Sequence, residues 1–96
     1  MIRFRPRAAR EFAADVRRYE EQYTGRGQRF ATAVDIVLAR IDAAPDSFPL
    51  LVEPDIRSAK VARFPYRVVY LVVDGAIDVL AVAHARRRPG YWQRGR

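Results

Sequence analysis

Apolar side chains recur between residues 9 and 23 in alternating steps of three and four, at Ala9, Phe12, Val16, Tyr19 and Tyr23. That spacing stacks them on one face of a helix, while Arg10, Glu11, Arg17, Arg18, Glu20 and Glu21 take the remaining directions. Pro6 suits the first turn, where its missing N–H has no partner to lose, so a helix is predicted from residue 6 to about residue 23. Thr24, Gly25 and Gly27 interrupt the pattern. A second stripe at Phe30, Val34, Val37, Ile41 and Ala44, closed by Pro45, predicts another helix over residues 27–44. The short break between them implies an antiparallel helical hairpin.

The pattern then changes period. Residues 45–56, PDSFPLLVEPDI, hold three prolines and read as a loop that packs Phe48, Leu50 and Leu51. Strands are predicted at Ser58–Phe64, Tyr66–Val73 and Ala76–Ala85, the last two joined by Asp74-Gly75, a dipeptide that accepts the positive φ of a tight hairpin. The run VVYLVV is apolar throughout and suits a central strand. Ile2–Phe4 forms a short opening strand, expected on the sheet edge, and a tail, RRRPGYWQRGR, ends the chain. The predicted fold is α+β in the order β-α-α-β-β-β, a helical hairpin packed on a small antiparallel sheet, with residues 1–96 forming one domain.

Composition narrows the chemistry. The absence of cysteine removes disulfides, thiolate metal sites and a cysteine nucleophile, and one histidine, His84, cannot build a zinc cage alone. No metal and no cofactor is therefore expected. The stretch MIRFRPRAAREF has no apolar core of signal-peptide length, and VVYLVV is too short to span a bilayer, so a cytoplasmic protein without membrane association is expected. The net charge of +7 is unevenly placed. Residues 1–56 hold nine charges of each sign; residues 57–96 hold nine Lys and Arg against only Asp74 and Asp78. A basic C-terminal half favours polyanions, either nucleic acid or an acidic polypeptide. Seventeen arginines to one lysine is the bias a GC-rich genome produces, but such a bias does not explain the asymmetry.

The stretch ARFPYRVVYLVVDGAIDVLAVAHARRRPGYW resembles the RelE/ParE superfamily of bacterial toxins from type II toxin-antitoxin modules. The PRAAREF start of the hairpin and the proline-rich connection ending in an arginine fit the same pattern, and the His-Ala-Arg-Arg ending looks more like the ParE branch. The resemblance implies a toxin neutralised by a cognate antitoxin. In the ParE branch the target is DNA gyrase; in the RelE branch it is mRNA on the ribosome, cut by an endoribonuclease of the same fold. A member that has lost toxicity is a third reading.

The resemblance also assigns candidate residues. For a nuclease they are Lys60 on the second strand, Arg67 as a phosphate-binding arginine, Arg86 beyond the last strand, Tyr91 one position from the usual terminal tyrosine, and His84. Ser58 departs from the second lysine expected there, and no acidic residue stands near these groups. Histidine is the one side chain whose unperturbed pKa, about 6.5, suits proton transfer at neutral pH. Alternation, however, places His84 on one face with Asp78, Leu80 and Val82, which favours a packed structural residue. Arg67 has two open readings, phosphate binding and cross-strand pairing with Asp78. For a docking toxin the expected target contacts are Arg86, Arg87, Arg88, Tyr91 and Trp92, although the two rings also suit anchoring the tail. Tyr19, Tyr23 and Leu38 are expected on the antitoxin-binding side of the hairpin, with the free sheet edge available for strand addition. Phe64, Tyr66 and Tyr70 are expected in the core or on the sheet face.

Overall fold

The computed structural model describes residues 1–88 and 90–93. Arg94 and Arg96, which contribute to the charge asymmetry, lie outside the described residues. The elements are β1 (Ile2–Phe4), α1 (Pro6–Gln22), α2 (Arg26–Ala43), β2 (Leu50–Val52), β3 (Ile56–Lys60), β4 (Tyr66–Val73) and β5 (Ala76–His84), followed by a 3-10 turn at Tyr91–Gln93. Both helices lie within a residue or so of their predicted bounds.

The hairpin is tight for identifiable reasons. Pro6 opens α1 after an extended Arg5, and Gly25 takes φ 89° between the helices. Glu20 near the end of α1 accepts hydrogen bonds from the N–H groups of Gly25 (2.9 Å) and Gly27 (3.1 Å), so a side chain of one helix satisfies the free donors that begin the next. Gly27 is required by contact: a Cβ there would stand 2.6 Å from the Val16 carbonyl oxygen.

The sheet has five strands in the order β1-β5-β4-β3-β2. From β2 to β5 it is an antiparallel meander, and the Asp74-Gly75 turn takes positive φ at both residues, 51° and 78°. β1 lies on the edge as expected, but it runs parallel to β5, so the sheet is mixed rather than wholly antiparallel. A second departure is β2. Three residues of the proline-rich segment pair with β3, which itself begins at Ile56 rather than Ser58 and ends at Lys60 rather than Phe64. Prolines flank this edge strand at Pro49 and Pro54, positions where no ladder N–H is lost. Phe48 packs on the core, whereas Leu50 and Leu51 are exposed, contrary to expectation. The segment is held instead by backbone acceptors: the Tyr70 hydroxyl donates to the Pro45 carbonyl (2.6 Å) and Arg57 donates to that of Phe48 (2.6 Å).

Helices cover one sheet face. Phe30, Val34 and Ile41 of α2 meet Val68, Tyr70 and Val79 in a fully buried layer, extended by Phe12, Tyr19 and Phe64. The opposite face carries a smaller cluster of Ile56, Val69, Leu71, Leu80 and Ala81, closed by Tyr91 and Trp92 from the tail.

Candidate functional site

The register of β5 decides what reaches the uncovered face. Opposite Val69 and Tyr70 the pairing shifts by one residue, from Val69↔Ala81 to Tyr70↔Val79, so Leu80 is inserted as a bulge. Leu80 and Ala81 consequently both join the uncovered cluster, while Ile77, Val79 and Val82 join the helix-covered one. Simple alternation fails here: Val82 and His84 do not share a face with Asp78 and Leu80.

His84 lies directly opposite Tyr66, with the rings edge to face at 5.0 Å. Its Nδ1 accepts the backbone N–H of Arg86 at 2.9 Å, so the neutral ring carries its proton on Nε2. His84 thus packs edge to face on Tyr66 and accepts one backbone hydrogen bond, in surroundings that differ from those alternation predicts. Arg67 faces the other way, opposite Ala83, and its guanidinium donates to Ser58 Oγ at 3.3 Å. It does not pair with Asp78, whose carboxylate is bound by Arg5 just beyond β1, 3.1 Å away. Lys60 stands opposite Arg67 on β3, so two cations share one end of the uncovered face. Arg86, Arg87 and Arg88 leave the end of β5 exposed.

These groups meet in two adjoining depressions. The larger, about 380 Å³, brings together Arg67, His84, Arg87, Arg88, Tyr91 and Trp92. The smaller, about 320 Å³, is lined by Lys60 and Arg67 with Phe64, Pro65, Tyr66 and Ala85. Four of the five nuclease candidates therefore line this region, and among the described residues no Asp or Glu lines either depression. Arg86, the fifth, lines neither.

Tyr91 and Trp92 are only 7 % and 8 % exposed, packed against the sheet. They anchor the tail and present only a small part of their surface to the depression. Tyr91 is gripped from several sides. Arg87 lies 4.0 Å and Arg7 5.6 Å from its ring centre, and Glu11 of α1 pairs with both arginines. Burial, with the Glu11 carboxylate adding to it, raises the phenol pKa, so Tyr91 stays protonated at neutral pH. Tyr66 is raised further, first by burial and then by Asp15. Arg18, hydrogen-bonded to Asp15, is held more firmly protonated than usual.

The three hairpin residues expected on the antitoxin-binding side differ in exposure. Tyr19 is half-buried against Phe30 and Phe64, Leu38 lies in the core at 8 % exposure, and Tyr23 alone is open, with Arg29 over its ring. A larger groove, missed in the sequence, runs between α2 and the turn after β3. Its one legible signal was Ile36, an apolar residue off the buried stripe of α2. Among the described residues no cluster of three or more His, Cys, Asp or Glu side chains could hold a metal, and no helix is long and apolar enough to cross a membrane.

Comparison with known proteins bears on the same architecture. The crystal structure of the isolated RelE toxin of E. coli superposes with a TM-score of 0.63 at 23% identity, covering 98% of this chain and 93% of that one, a likeness of fold. No curated protein sequence matches. The family model for the ParE toxin of type II toxin-antitoxin systems matches residues 2–89, from the opening strand through the arginine run. With the fold and nearly the whole length in agreement, the chain belongs to the ParE toxin family of type II toxin-antitoxin systems, within the RelE/ParE superfamily.

Proposed function

We propose that this toxin arrests growth in the cytoplasm by docking its basic sheet face on DNA gyrase, without breaking a bond, and that a cognate antitoxin neutralises it. The contact surface is carried by Lys60, Arg67, Arg86 and Arg88. One observation carries the reading: among the described residues, the cations gathered around these depressions have no free carboxylate beside them. Cutting RNA through its 2′-hydroxyl requires a group to take that proton and another to protonate the departing oxygen. Arginine does neither at neutral pH, Tyr91 is buried with a raised pKa, and His84 has Nδ1 engaged. Docking needs only a complementary charged surface.

The second reading, a ribosome-dependent mRNA endoribonuclease, is favoured by the convergence of Arg67, His84 and Tyr91 on one cavity. The two are separated by adding the purified toxin to gyrase in a supercoiling assay and to programmed ribosomes. The docking reading expects inhibition of supercoiling and intact mRNA, and a folded His84→Gln protein that remains toxic. Cleaved ribosome-bound mRNA together with a folded, harmless His84→Gln variant would establish the nuclease instead.

A further inference from the structure

The two ends of the sheet carry opposite charge. The β2–β3 turn with Glu53 and Asp55 and the β4–β5 turn with Asp74 lie at one end, because Val52 pairs with Ile56 and Val73 with Ala76. Residues 41–56, which include the first of these turns, hold four carboxylates, Asp42, Asp46, Glu53 and Asp55, and no Lys or Arg. At the other end Lys60 stands opposite Arg67 and Tyr66 opposite His84, and the chain continues into Arg86 and Arg88. β4, eight residues long, separates the two ends by about 25 Å.

Neither end is neutralised within the molecule. Among the described residues Glu53, Asp55 and Asp74 have no ion-pair partner, and neither have Lys60, Arg67, Arg86 and Arg88. Arg57, close to the first turn in sequence, is engaged by the Phe48 carbonyl at 2.6 Å. The smaller depression at the basic end sets Lys60 and Arg67 around Pro65 and Ala85, and the exposed turn Glu53-Pro54-Asp55 presents two carboxylates to match the two cations. The spacings agree as well. Two strand spacings, about 10 Å, separate the acidic turns, and one to two separate the Lys60 and Arg67 pair from the arginines after β5. Leu50 and Leu51, 43% and 45% exposed beside the first turn, add apolar area to the charge.

We infer that the free toxin associates head to tail with further copies of itself, the acidic turns of one molecule seated on the basic end of the next. Glu53 and Asp55 enter the depression at Lys60 and Arg67, and Asp74 meets the arginines that follow β5. The net charge of +7 repels copies at a distance, so the complementary ends act on close approach, within about 8 Å at physiological salt. The contact joins two different surfaces, so every assembly keeps one free end of each sign and growth does not stop at a dimer. Association covers the cations of the target-binding face, and the toxin withholds itself from its target as its concentration rises. That masking rests on the docking reading given above; the self-association does not.

Sedimentation velocity of the free toxin tests the contact. The weight-average sedimentation coefficient should rise with toxin concentration at about 0.1 M salt and stay level at about 1 M, where the screening length is about 3 Å. Glu53→Arg with Asp55→Arg reverses the first turn, and Lys60→Glu with Arg67→Glu reverses the depression; all four side chains are exposed, and circular dichroism should show both proteins folded. Each variant alone should remain monomeric. Their equimolar mixture should associate again, because each supplies the end that the other lacks. Asp74→Asn should weaken wild-type association about two- to fivefold, the scale of one exposed ion pair. The turn variant should inhibit supercoiling in proportion to its concentration, whereas the wild type loses specific activity as it assembles. A wild type that stays monomeric at about 0.1 M salt, association that persists in either reversed variant alone, or a mixture of folded variants that stays monomeric would overturn the proposal. A toxin that leaves gyrase untouched sinks the target assignment, while sedimentation still decides the self-association.

Discussion

The two faces of the sheet are built on different terms. The helix-covered face is a continuous layer in which Phe30 sits among Tyr19, Phe64 and Tyr66 with ring centres 4.6 to 5.1 Å apart, and its centre, Phe30, Val34, Ile41, Val68, Tyr70 and Val79, is inaccessible to water. The other face has a smaller apolar patch, and its cover is one turn of the tail, Tyr91 and Trp92, held by cation–π contacts and a half-buried carboxylate. Aromatic burial dominates the first, whereas the second ends in unpaired cations. Stability is therefore concentrated on one face, leaving the other free to carry charge, most of which, Arg87 excepted, contributes little to folding. A surface that must meet a macromolecule is best placed where changes in it do not unfold the domain.

The sharpest way to break this contrast is at the centre of the covered face. Phe30→Ala leaves a cavity among four aromatic rings and should cost about 3–5 kcal/mol, a large share of the roughly 5–15 kcal/mol of a small domain. Urea unfolding followed by circular dichroism measures it. A cost below about 1 kcal/mol would mean that the aromatic layer does not hold the fold.

Alkaline unfolding probes both faces together. Burial raises the pKa of Tyr66 and Tyr70 on the covered face and of Tyr91 on the other. Unfolded phenols ionise near pH 10, while the folded ones keep their protons beyond it. Their contribution is therefore complete below pH 10 and lost as pH rises through the folded values. The urea midpoint should stay level from pH 7 to 9 and fall steeply above 10. Tyr70→Phe and Tyr91→Phe should each make that fall shallower, and a slope unchanged in both variants would contradict the burial of these hydroxyls.

Trp92→Ala tests the thinner cover. A short tail detaches locally without opening the hairpin, so the expected cost is smaller, about 1–2 kcal/mol, with the greater effect on the uncovered face itself. Hydrogen exchange should rise in β3 and β4 while α2 keeps its protection, and a hydrophobic dye should bind the bared patch of Val69, Leu71 and Leu80. Equal loss of protection in α2 would show that the two faces unfold as one.

What the sequence discloses divides along the same line. The covered face follows from periodicity, because the stripes ending at Tyr23 and Ala44 and the Asp-Gly turn are local signals that tertiary packing reinforces. The uncovered face depends on events that no local period records. One inserted residue at Leu80 moves Val82 and His84 to the opposite side from the one alternation gives them, and so changes which groups His84 meets. β2 escaped notice because three edge residues between prolines carry no strand pattern, and Asp78 finds Arg5, far away in sequence, instead of Arg67. The charge asymmetry was legible as a sum. Its division between opposite ends of the sheet, with the acidic turns at one and Lys60 and Arg67 at the other, requires the fold.

The smallest effect on stability, with the largest on function, is expected at Arg86 and Arg88. Both side chains are exposed, and among the described residues neither has a carboxylate partner, in contrast to Arg87, which reaches Glu11 at 3.9 Å and covers Tyr91. Changing Arg86 and Arg88 together to Ala should shift stability by less than about 0.5 kcal/mol, because it removes neither buried apolar area nor a buried hydrogen bond. Growth arrest should nevertheless weaken markedly, since docking on a large anionic or acidic target relies on such unpaired charge for encounter and orientation. Arg87→Ala behaves differently under the same logic: it loosens the tail, so stability and toxicity should fall together. Paired measurements of urea midpoint and growth inhibition for the three variants decide the matter. If the double variant stays fully toxic, the arginines beyond β5 are a solvated surface and the target contact must lie at Lys60 and Arg67 alone.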